Sequence, residues 1–93
     1  MNNQFKNKSV LVTGGTKGIG KGIAESFLME GSKVFVLSRN APKRKISKKG
    51  NSAIFVACDI RDNSSVEIAL KDILSQTKTI DILINNAGGS PLL

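Results

Sequence analysis

Histidine, tyrosine and tryptophan are absent from this 93-residue chain, which carries one cysteine, two prolines and four phenylalanines as its only aromatics. Without histidine or tyrosine it lacks the side chains that most readily move a proton in acid/base catalysis near neutral pH. The lone Cys58 excludes an internal disulfide; set in an apolar run, it reads as a small buried hydrophobe in a reducing compartment. No stretch reaches the roughly 18 apolar residues of a membrane span, and residues 1–6 lack the apolar core of a signal peptide. A soluble cytoplasmic protein is therefore expected. The length allows one small domain, which removes only about 60 to 65 per cent of its unfolded surface from water.

Acidic residues are also scarce. Seven of them face fourteen lysines and arginines, for a net charge of +7, a balance that suits a phosphate-bearing ligand and also favours non-specific attraction to nucleic acid. Charge alone does not choose between these partners.

What is present is organised around residues 10–20, where the apolar Val10, Leu11 and Val12 give way to Thr13-Gly14-Gly15-Thr16-Lys17-Gly18-Ile19-Gly20. A strand breaks into a glycine-rich turn that opens a helix. Glycine lets the backbone turn tightly and approach a ligand, while unpaired N–H groups at a helix start favour an anion. The expected guest is a pyrophosphate.

The rest of the chain repeats the alternation of strand and helix. Strands are expected at Ser9–Thr13, Lys33–Ser38, residues 53–58 and residues 80–85, apolar enough to be covered on both faces. The first helix should bury Ile19, Ile23 and Phe27, with Ala24 and Leu28, and end at Gly31 as its C′ residue. A second, from about Asn63, should be capped by Asp62 or by Ser64 with Glu67, and bury Val66, Leu70, Ile73 and Leu74. Between them Arg39, Lys43, Arg44, Lys45, Lys48 and Lys49 crowd together. Any helix after Pro42 would be short and weakly anchored by Ile46, with Gly50 and Asn51 marking its end. The implied fold is α/β: a partial Rossmann-type, doubly wound parallel sheet of four strands in the order 3-2-1-4, with helices on both faces. The fourth strand is left as an apolar edge prone to self-association.

The spacing Thr13-Gly14-x-x-x-Gly18-x-Gly20, Asp59 at the end of the third strand and Asn85-Asn86-Ala87-Gly88 at the end of the fourth resemble the short-chain dehydrogenase/reductase family. The resemblance covers essentially the whole chain, but only the cofactor-binding half of the family domain. It implies hydride transfer between a nicotinamide and a carbonyl or alcohol. It further implies cofactor contacts from Gly14, Thr16, Lys17, Gly18, Ile19 and Gly20, from Ser38 and Arg39, from Asp59 and Ile60 at the adenine, and from Asn86, Ala87 and Gly88. The family's catalytic serine, tyrosine and lysine lie beyond this last motif, so residues 1–93 are expected to be a truncated dinucleotide-binding domain, inactive alone, whose partner is the missing C-terminal half. No catalytic residue and no metal ligand is assigned.

The end of the second strand chooses the cofactor. Dinucleotide folds that prefer NAD place a carboxylate there, whereas a 2′-phosphate needs positive charge. Here Ser38 takes the acidic position and Arg39 follows; Lys17 adds a second cation to the same region, with no carboxylate near. NADP(H) is expected over NAD(H), against the plainer reading in which both cations are merely solvated. Asp59 could likewise be a turn residue and Asn85-Asn86-Ala87-Gly88 a strand-ending turn.

Three other functions compete. Residues 15–21 spell the Gly-x-x-x-x-Gly-Lys of a P-loop, but Gly22 stands where a magnesium-binding hydroxyl is required. A free-standing, non-catalytic nucleotide-binding protein is a second alternative. The basic cluster could bind nucleic acid, yet no aromatic is interleaved for base stacking, so a solvated face near the 2′-phosphate is preferred.

Overall fold

A computed structural model describes residues 4–86. Its elements are β1 (Ser9–Thr13), α1 (Gly18–Met29), β2 (Lys33–Ser38), β3 (Ser47–Lys48), β4 (Asn51–Ser52), β5 (Ile54–Ala57), α2 (Asn63–Leu74) and β6 (Ile82–Asn85). Four strands form one parallel sheet in the order β5-β2-β1-β6. Since β5 and β6 are its third and fourth strands along the chain, this is the expected 3-2-1-4 winding.

Alternation along β1 and β2 fixes the layers, because successive side chains point to opposite faces of a sheet. Val10, Val12, Val34 and Val36 pack with Ala24 and Leu28 of α1. Leu11, Phe35 and Leu37 pack on the other face with Ala69 and Ile73 of α2. A helix thus covers each face, and the two central strands are apolar between their polar end residues for that reason. The outer strand β6 is covered less completely: Leu83 is 61% exposed, while Ile82 and Ile84 pack against the α1 side.

Gly31 closes α1 as expected. Its φ of +85° lets Gly31 N–H reach the Leu28 carbonyl at 3.1 Å and Ser32 N–H the Phe27 carbonyl at 3.1 Å, the paired bonds of a Schellman cap. At α2 it is Asp62 that caps, its side chain accepting from Ser64 N–H at 3.0 Å. The polar lead-in is docked: Phe5 meets Phe27 edge-to-face with ring centroids 5.3 Å apart, and Lys33 N–H donates to the Lys8 carbonyl at 2.8 Å.

Three expectations fail. Residues 43–52 form no helix; residues 47–52 make an antiparallel hairpin, with Lys48 opposite Asn51. Its two-residue turn, Lys49 and Gly50, has φ of 52° and 75°, the positive pair that suits strand twist in a tight hairpin. Gly50 is thus a turn residue rather than a helix stop. Ile46 anchors the approach, 2% exposed within the α1-side core, which leaves the cations on the outside. Ile19, at the first turn of α1, is 78% exposed because the helix begins at Gly18, beyond the cover of the sheet. Leu74 is exposed as well; Ala69 and Ile73 occupy the buried line of α2 instead.

Candidate functional site

Parallel strands bring their carboxyl ends to one rim, where the loops leaving β1, β2 and β5 meet Asn85 and Asn86 at the end of β6. The loop after β1 is fastened on both sides. Gly14 N–H donates to the Leu37 carbonyl of β2 at 2.7 Å, and the Asn86 side-chain amide donates to the Gly14 carbonyl at 3.3 Å. The Thr13 hydroxyl bridges toward β6, donating to the Asn85 side-chain oxygen at 3.0 Å and accepting from Asn86 N–H at 2.9 Å.

Gly20 shows why the loop tolerates no side chain there. A Cβ on Gly20 would stand 2.1 Å from the Gly14 carbonyl oxygen and 2.6 Å from the Asn86 side-chain nitrogen. Helix and loop touch backbone to backbone. Gly18 differs: its φ is +60°, but the space beside it is open, so only its conformation demands glycine. No side chain caps α1, whose N-cap position is the extended Lys17, and Lys21 N–H donates to the Lys17 carbonyl at 3.2 Å. The amides of Gly18, Ile19 and Gly20 are therefore the open donors of the helix start.

Among the described residues two clefts leave this rim, and Ser38 lines both. The first, of about 320 Å³, joins Gly14, Leu37 and Arg39 to Cys58, Asp59, Ile60 and Arg61. The second, of about 590 Å³, joins Thr16, Lys17, Gly18 and Lys21 to the segment after β2, including Asn40, Lys43 and Arg44. Lys17 and Arg39 thus line two clefts that share Ser38. The expected absence of a carboxylate holds for the second cleft, whose charged lining is cationic, and fails for the first, where Asp59 stands with Arg39.

Asp59 is held firmly. Its backbone N–H donates to the Ser65 hydroxyl at 2.9 Å, while its carboxylate accepts from Arg61. Hydrogen bonds from the Arg61 guanidinium first, then from Arg61 N–H, hold this carboxyl below its ordinary value, and the charge of Arg39 adds to them. It is ionised at neutral pH and can act only as an acceptor.

Ile19 and Ile60 are exposed at the rim; Cys58 is buried. Of the last expected motif, Asn86 is in place, whereas Ala87 and Gly88 lie outside the described residues. Sequence reasoning missed Arg61, whose one signal was a cation two residues after the strand-ending aspartate. It also assigned no contact to Lys21, Lys43 or Arg44, which were legible only as charge. Among the described residues no cluster could hold a metal ion, and no helix is long and apolar enough to cross a membrane.

This arrangement has counterparts. The family model for short chain dehydrogenases matches residues 8–92. The chain is 35% identical to a 3-oxoacyl-(acyl-carrier-protein) reductase of Chlamydia muridarum over 95% of its own length and 38% of that protein. Among solved structures, the citronellol catabolism dehydrogenase of Pseudomonas aeruginosa superposes with a TM-score of 0.85 at 35% identity, covering 99% of this chain and 41% of that one. A short chain dehydrogenase of Leptospira borgpetersenii with bound NAD+ gives a TM-score of 0.74 at 30% identity, covering 87% and 31%. The chain spans about a third of the length of the curated relatives it matches, 34% of one from Bacillus subtilis for example.

Proposed function

Since the chain belongs to the short chain dehydrogenase family, we propose that it is the NADP(H)-binding part of an oxidoreductase that moves a hydride between nicotinamide and a carbonyl or alcohol. The observation that carries this reading is the backbone contact of Gly20 with Gly14 beneath an uncapped helix start. Such a surface offers a pyrophosphate several N–H donors with no side chain in the way. The residues present fit the group. Gly14, Thr16, Lys17, Gly18, Ile19 and Gly20 would hold its diphosphate, Asp59 and Ile60 its adenine, and Asn86, Ala87 and Gly88 its ribose side. A bound NADPH supplies the hydride; this chain's own residues bind and orient it.

Preference for the 2′-phosphate rests on Ser38, where a carboxylate would repel it, and on the cations of the two clefts that share it. Arg39 lies in one cleft; Lys17, Lys21, Lys43 and Arg44 lie in the other. A guanidinium is suited to grip a phosphate through paired N–H bonds. The second reading is NADH, favoured by the bound NAD+ of the Leptospira relative. Titration calorimetry separates them. The wild-type chain is expected to bind NADPH more tightly than NADH, and Arg39→Asp to lower that ratio by about tenfold or more. Tighter binding of NADH by the wild type would reverse the cofactor assignment, and magnesium-dependent binding of ATP alone would overturn the whole reading.

A further inference from the structure

Arg61 belongs to no motif, yet it makes more contacts with Asp59 than any other residue does. Its backbone N–H and its Nε donate to Asp59 Oδ1, each at 3.0 Å, and its Nη2 donates to Oδ2 at 3.1 Å. A carboxylate offers about four acceptor positions. Three are taken, two of them on Oδ1, so a single one remains, on Oδ2. Both residues line the smaller cleft, so a group that enters it meets a carboxylate already held by three bonds.

We infer that Arg61 is a positioning residue for base recognition: it locks the Asp59 carboxylate so that its last acceptor position selects a purine carrying an exocyclic amino group. The inference rests on the dinucleotide-binding reading above. An amino group donates to that oxygen, whereas the carbonyl of hypoxanthine presents lone pairs to it and is repelled. The side chains of Arg61 and Asp59 are 71% and 35% exposed, and ion pairs so exposed contribute little to stability. Loss of the pair is therefore expected to change how the carboxylate is oriented more than the stability of the fold.

The test compares NADPH with its hypoxanthine analogue by titration calorimetry on the full chain, alongside the Tm of each variant. Wild type is expected to prefer the adenine form. Arg61→Ala should lower that preference about fivefold with Tm unchanged, since a hydrogen bond to a charged group is weakened but the backbone N–H still holds Oδ1. Arg61→Lys, which keeps the charge but donates from a single nitrogen, should recover part of it. An unaltered preference in Arg61→Ala overturns the inference, as does a loss that comes with a lower Tm and is not recovered by lysine. A wild type that binds neither dinucleotide overturns the proposed function, and this inference with it; a wild type that binds both equally overturns the inference alone.

Discussion

The two ends of the sheet are built from similar polar residues and are finished in opposite ways. At the end where the strands begin, Ser9 and Asp81 close on each other: Ser9 N–H donates to the Asp81 carboxylate at 2.8 Å, and Asp81 N–H to the Ser9 carbonyl at 2.9 Å. The Ser9 and Thr77 hydroxyls pair, and the Lys33 ammonium donates to the Gln76 carbonyl. Each of these groups finds a partner within the chain, beside a cleft lined by Lys8, Asp81 and Ile82. At the end where the strands finish, the helix start is uncapped and two clefts stay open. Serine, threonine and aspartate are thus not a signature of a site. What marks a site is that the donors beside them are left without partners, a cost that a bound ligand offsets.

The sharpest way to break this contrast is Gly20→Ala. With a Cβ forced 2.1 Å from the Gly14 carbonyl oxygen, the loop must shift. We expect dinucleotide affinity to fall below detection and stability to fall by about 3 kcal/mol, measured by calorimetry and urea unfolding. Gly18→Ala meets open space and should lose only about 1 to 2 kcal/mol, through its left-handed backbone. Comparable losses at both positions would refute the backbone contact as the reason for glycine.

Thr13→Val comes next. It removes the hydroxyl that joins β1 to Asn85 and Asn86 and leaves the part-buried Asn86 N–H unmatched, for about 1 kcal/mol or more in stability. Affinity should fall severalfold, because Asn86 also fastens Gly14.

At the closed end, Asp81→Asn should lower Tm by a few degrees while leaving affinity unchanged. The bond from Ser9 N–H holds the Asp81 carboxyl below its ordinary 3.8. A carboxyl whose folded value is lowered contributes stability that is present above the unfolded value and lost as pH falls from there through the folded one. The Tm of wild type should therefore drop below about pH 4, and more steeply than that of Asp81→Asn. Parallel pH curves would contradict it.

The smallest expected effect lies outside both ends. Lys49→Asn places a residue that tolerates positive φ in the hairpin turn and creates the Asn-Gly pair such turns favour, raising stability by about 0.5 kcal/mol. A neutral or lower value would mean that the turn imposes no strain on lysine.

Much of this was written in local pattern. The unbroken apolar runs of β1 and β2 announce strands covered on both faces, Gly31 announces the end of α1, and the glycine spacing announces the loop, because each depends on neighbours within a few residues. The hairpin was not legible: a lysine at positive φ carries no sequence signal, and the burial of Ile46 depends on a core assembled from β1, β2 and α1. Nor was Ile19 legible as exposed, since helical periodicity does not say where the sheet beneath a helix ends.

The sequence by itself determined the alternation of strands and helices, the parallel winding and the rim at which glycines and polar strand ends gather. Those follow from side-chain period, backbone freedom and charge, which act over short distances along the chain. Only the tertiary structure decided that Gly20 rather than Gly18 is the tight contact, that two clefts share Ser38 with Arg39 in one and Lys17 in the other, and that Arg61 rather than a ligand takes most of the Asp59 carboxylate. Each is a matter of which groups distant loops bring within a few ångströms, and that is set by how the strands pair and the helices pack.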